Sequence, residues 1–504
     1  MSEFGKTIAD AYTFQGESLE LGKGVHDGKV DQEAVVRLPL ATSNRHGLIA
    51  GATGTGKTRT LQLVAEQLSA GGVPVVAADM KGDVSGIAEP GETGGPAEKR
   101  AAELEQQFTP TGYPTEYFAI GGLGPGVPVR ATVSDFGPLL LAKVLEANQT
   151  QEQSLSLVFR YGDEKGLPIV DLSDLRSLLT FFDSKEGKAE LKTIGGVSSA
   201  TIGVLLRSLV QLEDGGGTEF FGEPQLEIAD LLRTAPDGRG VISCLELPAV
   251  QDKPKLFSTV LMWLLAELFE QLPEVGDVPK PKLVFFFDEA HLLFDGATDA
   301  FLDSVVQTVR LIRSKGVGVF FITQTPKDIP ADVLAQLGNR VQHALRAFTP
   351  QDAKALKATV STFPTSELYD LDELLTQLGT GEAAVTILSE SGVPTPVVHT
   401  KLRAPLANMK PAADVDGSAR ASTLYAKYGT RVDRESAREL LAARIERQPA
   451  APGEAAPRRP PPPPVERTGD PITDPLGDFL SSRQGKALQR EVVRGMFGLL
   501  RKRL

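Results

Sequence analysis

A single cysteine, Cys244, stands in 504 residues, so no internal disulfide can hold this chain together. That scarcity fits a reducing compartment, and a cytoplasmic location is the expectation. Histidine is scarce too. His26, His46, His291, His343 and His399 are scattered, without the paired spacings of a zinc site. Basic residues are outnumbered: 53 Lys and Arg face 65 Asp and Glu, a net charge of −12. This argues against a protein coated in basic surface and leaves room for a locally basic channel. No apolar run reaches the ~18 residues needed to span a bilayer, so no transmembrane segment is expected. The opening MSEFGKTIADAY has acids and no apolar core, and does not read as a signal peptide. The one tryptophan, Trp263, sits in a strongly apolar helical stretch and reads as core packing.

What is present is globular: 41% apolar and 23% charged residues. The length suggests about three domains, or one large core with insertions. The chain is organised around residues 48–58, LIAGATGTGKT. Gly51, Gly54, Gly56, Lys57 and Thr58 fit G-x-x-x-x-G-K-[ST], between an apolar strand-like run and a helix-like run. Glycines let backbone N–H groups turn toward phosphate oxygens, and the helix N-terminus adds its positive dipole end. The candidate cradle is thus Gly51, Ala52, Thr53, Gly54, Thr55 and Gly56, with Lys57, Thr58 and Arg59 opening the helix. Lys57 can reach β/γ-phosphates, and the Thr58 hydroxyl can ligate Mg²⁺.

Read in order, residues 1–40 suggest a small N-terminal β element. Residues 41–135 read as the first half of an α/β core. Within it Val73–Asp79 is a buried parallel strand, and Asp79 opens DMKGD. Asp79 and Asp83 either face a ligand at the strand end or cap the turn. Residues 136–235 turn helical, an insertion between early and late strands. Residues 236–405 resume the core, with Ala383–Leu388 as its expected last strand. Residues 406–447 are charged and include a helix expected over 418–447. Residues 448–474 form a proline-rich linker, and 475–504 a basic amphipathic helix on that tether, expected to dock on a partner subunit.

The second decisive stretch is Lys282–His291, KLVFFFDEAH. A buried strand ending in two acids delivers carboxylates to its C-terminal tip. Asp288 is placed to hold the Mg²⁺ shell and Glu289 to polarise an attacking water. The next buried strand, Gly316–Thr323, ends in Gln324. That Gln can bond a γ-phosphate or its water, or simply cap the strand.

LIAGATGTGKT, DMKGD, LVFFFDEAH, FFITQTP and GNRVQHALRAF resemble the HerA/FtsK branch of P-loop ATPases, and within it the bacterial HerA-like ATPases. The resemblance spans roughly residues 8–405 and the terminal SSRQGKALQREVVRGMFGLL. It implies a RecA-like α/β core, a mainly parallel sheet with helices on both faces, carrying the helical insertion and the tethered helix. It implies ATP and Mg²⁺ as cofactors, a homo-oligomer of the hexameric-ring kind with ATP at subunit interfaces, and DNA as the translocated cargo; a protein partner is the alternative. It supports Lys57, Thr58, Asp288, Glu289 and Gln324 in the roles above. It also implies a trans-acting arginine, for which Arg45 in SNRHG, Arg313 after the acidic pair, and Arg340 are candidates beside Arg310.

Overall fold

The computed structural model describes residues 2–447, apart from 193, 277 and 296–298. The expected linker and tethered C-terminal helix lie outside the described residues. Two compact units divide the described chain: residues 2–132 with 210–432, and residues 133–209 with 433–447.

The first unit is built on one sheet of twelve strands: β1 Ser18–His26, β2 Lys29–Pro39, β3 Gly47–Ala50, β4 Val75–Asp79, β5 Thr115–Ile120, β6 Val127–Val129, β7 Ile242–Glu246, β8 Leu283–Phe287, β9 Val317–Thr323, β10 Asn339–Gln342, β11 Glu382–Thr386 and β12 Val398–Leu402. Their order is β2-β1-β12-β11-β10-β3-β9-β8-β4-β7-β5-β6. From β10 to β6 every pairing is parallel. From β10 back to β2 every pairing is antiparallel. This mainly parallel sheet with helices is the α/β class that the sequence predicts.

Residue pattern explains the division. β3, β4, β7, β8 and β9 are buried at every position, as strands covered on both faces must be. In β8 the three phenylalanines interlock with neighbours: Phe286 with Phe320 at 5.2 Å and Phe287 with Phe321 at 5.3 Å between ring centres. A helix, Pro254–Gln271, contributes Trp263 to the core, edge-on to Phe220 at 5.6 Å. By contrast β12 alternates buried and half-buried residues. That weaker signal, after Pro394 and Pro396, hid β12 from the sequence reading, which ended the sheet with Ala383–Leu388.

The first forty residues contribute more than strands. A helix, α1 Glu3–Ala11, is capped by Ser2, whose Oγ accepts from Gly5 N at 2.7 Å. Phe4 and Ile8 face inward four residues apart. β1 then pairs with β12, so these strands extend the main sheet. The helix expected over 418–447 is three: Val415–Ala421, Thr423–Tyr428 and Ala437–Arg447. Ser422 stops the first and caps the second, accepting from Leu424 N at 3.1 Å.

The second unit is helical. Capping boxes at Asn148/Gln151 and Asp171/Asp174 start the helices Gln149–Lys165 and Leu172–Asp183. Asp174 also accepts from Ser436 Oγ at 2.6 Å and Arg438 N at 2.9 Å, which seats the returning chain. No described helix is long and apolar enough to cross a membrane.

Candidate functional site

β3 runs into the glycine-rich turn, and α2 Lys57–Ala70 leaves it. Gly51 has φ +153°, and a Cβ there would lie 2.4 Å from His343 Cβ. Gly56 has φ +118°. Both positions need glycine. The turn is held from two sides: Gly51 N donates to Thr323 O at 3.2 Å, and Ala52 N to Ala344 O at 2.9 Å. Gly381 N donates to Thr55 O at 2.9 Å. Lys57 Nζ donates to Gly51 O at 2.8 Å and Ala52 O at 3.3 Å. Its ammonium is buried, which pulls its pKa down, while the charges of Glu289, Asp288 and Asp83 oppose that shift. Thr58 and Arg59 are half-buried at the helix start, where N–H groups lack intrahelical partners. Arg59 Nη1 bonds Gln62 Oε1 at 2.8 Å.

Beneath the turn lies His343, fully buried, its Nε2 2.8 Å from Thr60 Oγ1. Burial, with the Lys57 charge, lowers its pKa to about 4, so it is a neutral prop. Nothing in the sequence marks it, because its partners come from elements far away in the chain.

The acids gather at the carboxyl ends of β4, β7 and β8. Asp288 and Asp79 are buried, and Asp79, Asp83 and Asp288 each offer an oxygen within 4.8 Å of the others. Asp79 is also the turn cap: Oδ1 accepts from Lys81 N at 3.1 Å and Gly82 N at 2.8 Å, and Oδ2 from Val84 N at 2.7 Å. The two readings left open for Asp79 are thus compatible. Burial first, then the charges of Glu289, Asp79 and Asp83, pushes Asp288 up to about 7. Glu246, at the end of β7 and opposite Asp79, is pushed to about 8 by burial and by Asp79 and Asp83. Asp288 Oδ2, Asp83 Oδ1 and Glu246 Oε1 are buried with no hydrogen-bond partner. Crowded, unpaired carboxylate oxygens of this kind suit a hard divalent cation such as Mg²⁺.

Glu289 takes φ +47°, rare for a side chain of its size, as β8 gives way to a turn. Ala290 N donates to Ile322 O at 2.8 Å across that turn. Lys81 Nζ pairs with Glu289 Oε1, and His291 Nδ1 lies 3.4 Å from Oε2. β9 separates β3 from β8 and is bonded to both turns, so Gln324 at its tip stands between the glycine turn and the acid pair. Gln324 lines a cavity of about 570 Å³ with His291, Asp295 and Lys327.

The structure therefore brings Gly51–Arg59, Asp79, Asp288, Glu289 and Gln324 to one sheet edge. It does not bring the arginines there. Arg45 precedes β3 and donates to Glu390 O at 3.2 Å. Arg313 follows the helix Asp299–Ile312, before β9 starts, near enough to His46 for its charge to act on that imidazole. Both lie at the amino edge, a strand's length of ~13 Å or more from the chain's own turn. Arg340, on β10, donates to Leu337 O at 3.2 Å, Leu334 O at 3.4 Å and Thr362 O, and stacks over Phe363. Arg310 is exposed on the last turn of the helix Asp299–Ile312. Lys81 and Glu246 were not singled out for a role from sequence. Each does stand at the acidic end of a buried strand, a signal that was available.

The family model described as "Helicase HerA-like C-terminal" matches residues 25–503. No curated protein matches the chain. Among solved structures it is similar to VirB4 of Thermoanaerobacter pseudethanolicus, at 15% identity and TM-score 0.51, covering 77% of this chain and 97% of that one. The bacterial conjugative coupling protein TrwBΔN70, in its trigonal form with sulphate, is 15% identical with TM-score 0.53, covering 81% and 93%. TrwB with the non-hydrolysable ATP analogue ADPNP is 15% identical with TM-score 0.50, covering 79% and 98%. At such identities the likeness establishes the shared fold.

Proposed function

The chain belongs to the helicase HerA-like C-terminal family, and from that premise we propose that it is a Mg²⁺-dependent ATP hydrolase working as a ring motor. The observation that carries this is the meeting of the Lys57 turn and the Asp288–Glu289 tip at one edge, bridged by β9. Backbone N–H groups of residues 51–59 cradle the phosphates, and Lys57 neutralises their charge. Thr58 and Asp288 would hold Mg²⁺, with Asp83 and Asp79 beside them, and the ion would supply charge neutralisation for the phosphates. Glu289 takes the proton of the attacking water, and Gln324 orients that water or reads the γ-phosphate.

Arg45 and Arg313 serve the neighbouring subunit. Both stand at the edge opposite their own turn, so a head-to-tail ring presents them to the next subunit's phosphates. Such a contact makes hydrolysis depend on assembly. A hexamer with double-stranded DNA in its pore is the arrangement we favour, with the compartment cytoplasmic. The acidic balance of −12 favours, as the second reading, a motor that acts on a protein partner.

The test is ATP turnover with and without duplex DNA, together with DNA binding across a salt series, because phosphate contacts impose a negative salt slope. Stimulation with that slope is expected. No stimulation, coupled with activation by a co-purifying protein, would favour the second reading. Lys57→Ala should weaken nucleotide binding and abolish turnover.

A further inference from the structure

Lys81 has no part in the reading above, yet the structure holds it with care. Asp79, fully buried, accepts three backbone N–H groups from Lys81, Gly82 and Val84. Gly82 turns the chain at φ +73°, and a Cβ there would meet Pro248 Cγ at 3.3 Å. The DMKGD turn is therefore fixed from inside the sheet. From it the Lys81 side chain, 49% exposed, reaches across to a Glu289 side chain only 9% exposed. Lysines with that much exposure usually stay in water.

The two oxygens of Glu289 differ. Oε1 is taken by the Lys81 ammonium. Oε2 is buried with no hydrogen-bond partner, and His291 Nδ1 lies 3.4 Å from it. Three carboxylates, Asp79, Asp83 and Asp288, crowd the same edge. Their repulsion would swing an unanchored glutamate away, since its side chain has three rotatable bonds.

We propose that Lys81 is a positioning residue for Glu289: its ammonium anchors one carboxylate oxygen and so leaves the other, unpartnered, to take the proton of the attacking water. This rests on the reading of Glu289 as general base. Asp79 acts one step further back, by building the turn that aims Lys81.

The test uses the full chain with Mg²⁺ and ATP. Lys81→Met keeps the length and removes the charge. The expected result is a fall in kcat of ~10–100-fold with KM and ADP affinity within about twofold, and recovery of most of it in Lys81→Arg. In a Glu289→Gln background, Lys81→Met should cost nothing more, because it acts through that carboxylate. Lys81→Gln gives a second neutral variant should Lys81→Met fail to fold. Unchanged kcat overturns the proposal. A raised kcat overturns it too, since the pair would then hold the carboxylate away from water. A raised KM at constant kcat would make Lys81 a phosphate ligand instead. Normal turnover in Glu289→Gln alone removes the general-base reading itself, and is told apart because Lys81 is untouched in that variant.

Discussion

At the carboxyl edge of the parallel strands, Asp79, Glu246, Asp288 and Glu289 are buried beside Lys57 and Lys81. At the amino edge of the same sheet stand Arg45, His46 and Arg313, where no three carboxylates of the described residues converge as Asp79, Asp83 and Asp288 do. The two edges are built from the same strands, a few residues apart in sequence. What differs is what each can present. Strand ends at the carboxyl edge open into turns whose N–H groups and side chains converge. Strand starts at the amino edge leave long side chains pointing away from the chain's own turn. In our reading one protomer therefore carries two halves of different sites, which join only between neighbours.

The sharpest way to break that contrast is at the amino edge. Arg45→Ala or Arg313→Ala should lower turnover by ~10³-fold or more if each guanidinium meets a neighbour's phosphates. Mixing Arg45→Ala chains with Glu289→Gln chains should restore part of the rate, because some interfaces then pair an intact turn and base with an intact arginine. Steady-state ATPase assays of the mixtures decide it; no restoration would place the arginines in cis.

The next effect lies at the carboxyl edge. Glu289→Gln should lower kcat by ~10²–10⁴-fold while ATP still binds, read by single-turnover kinetics beside equilibrium binding. Smaller still is Arg340→Ala. Its guanidinium donates to carbonyls of its own chain, so the loss should be ~1–3 kcal/mol of stability with turnover per folded chain retained. A chain that melts normally but no longer hydrolyses ATP would instead enrol Arg340 at the interface.

The last effect is acid sensitivity. His46 is buried, and its Nδ1 accepts from Val319 N at 3.0 Å, which requires that nitrogen to be unprotonated. Burial, helped by Arg313, lowers its pKa to about 4 from 6.5. The folded chain then binds fewer protons than the unfolded chain between those values. The stability from His46 is full above pH 6.5 and is lost as pH falls through about 4, a span worth roughly 3 kcal/mol. His343, at about 4 for the same reason of burial, adds to this slope. Denaturant melts from pH 7 to 4 should show it, and His46→Asn, whose side-chain carbonyl can still accept from Val319 N but cannot titrate, should reduce it.

The sequence by itself located the glycine-rich turn, the acid-tipped strand and the buried parallel strands, and it named the branch of ATPases. Each of these is written in consecutive residues, where a backbone turn or a two-sided burial demands particular side chains. Only the tertiary structure decided that β9 lies between the turn and the acids, that His343 props the turn, that Lys81 grips Glu289, and that β12 follows β11 to join the antiparallel strands. Those facts depend on which distant segments pack together, and packing is set by the whole chain's burial and register, to which no single window of residues has access.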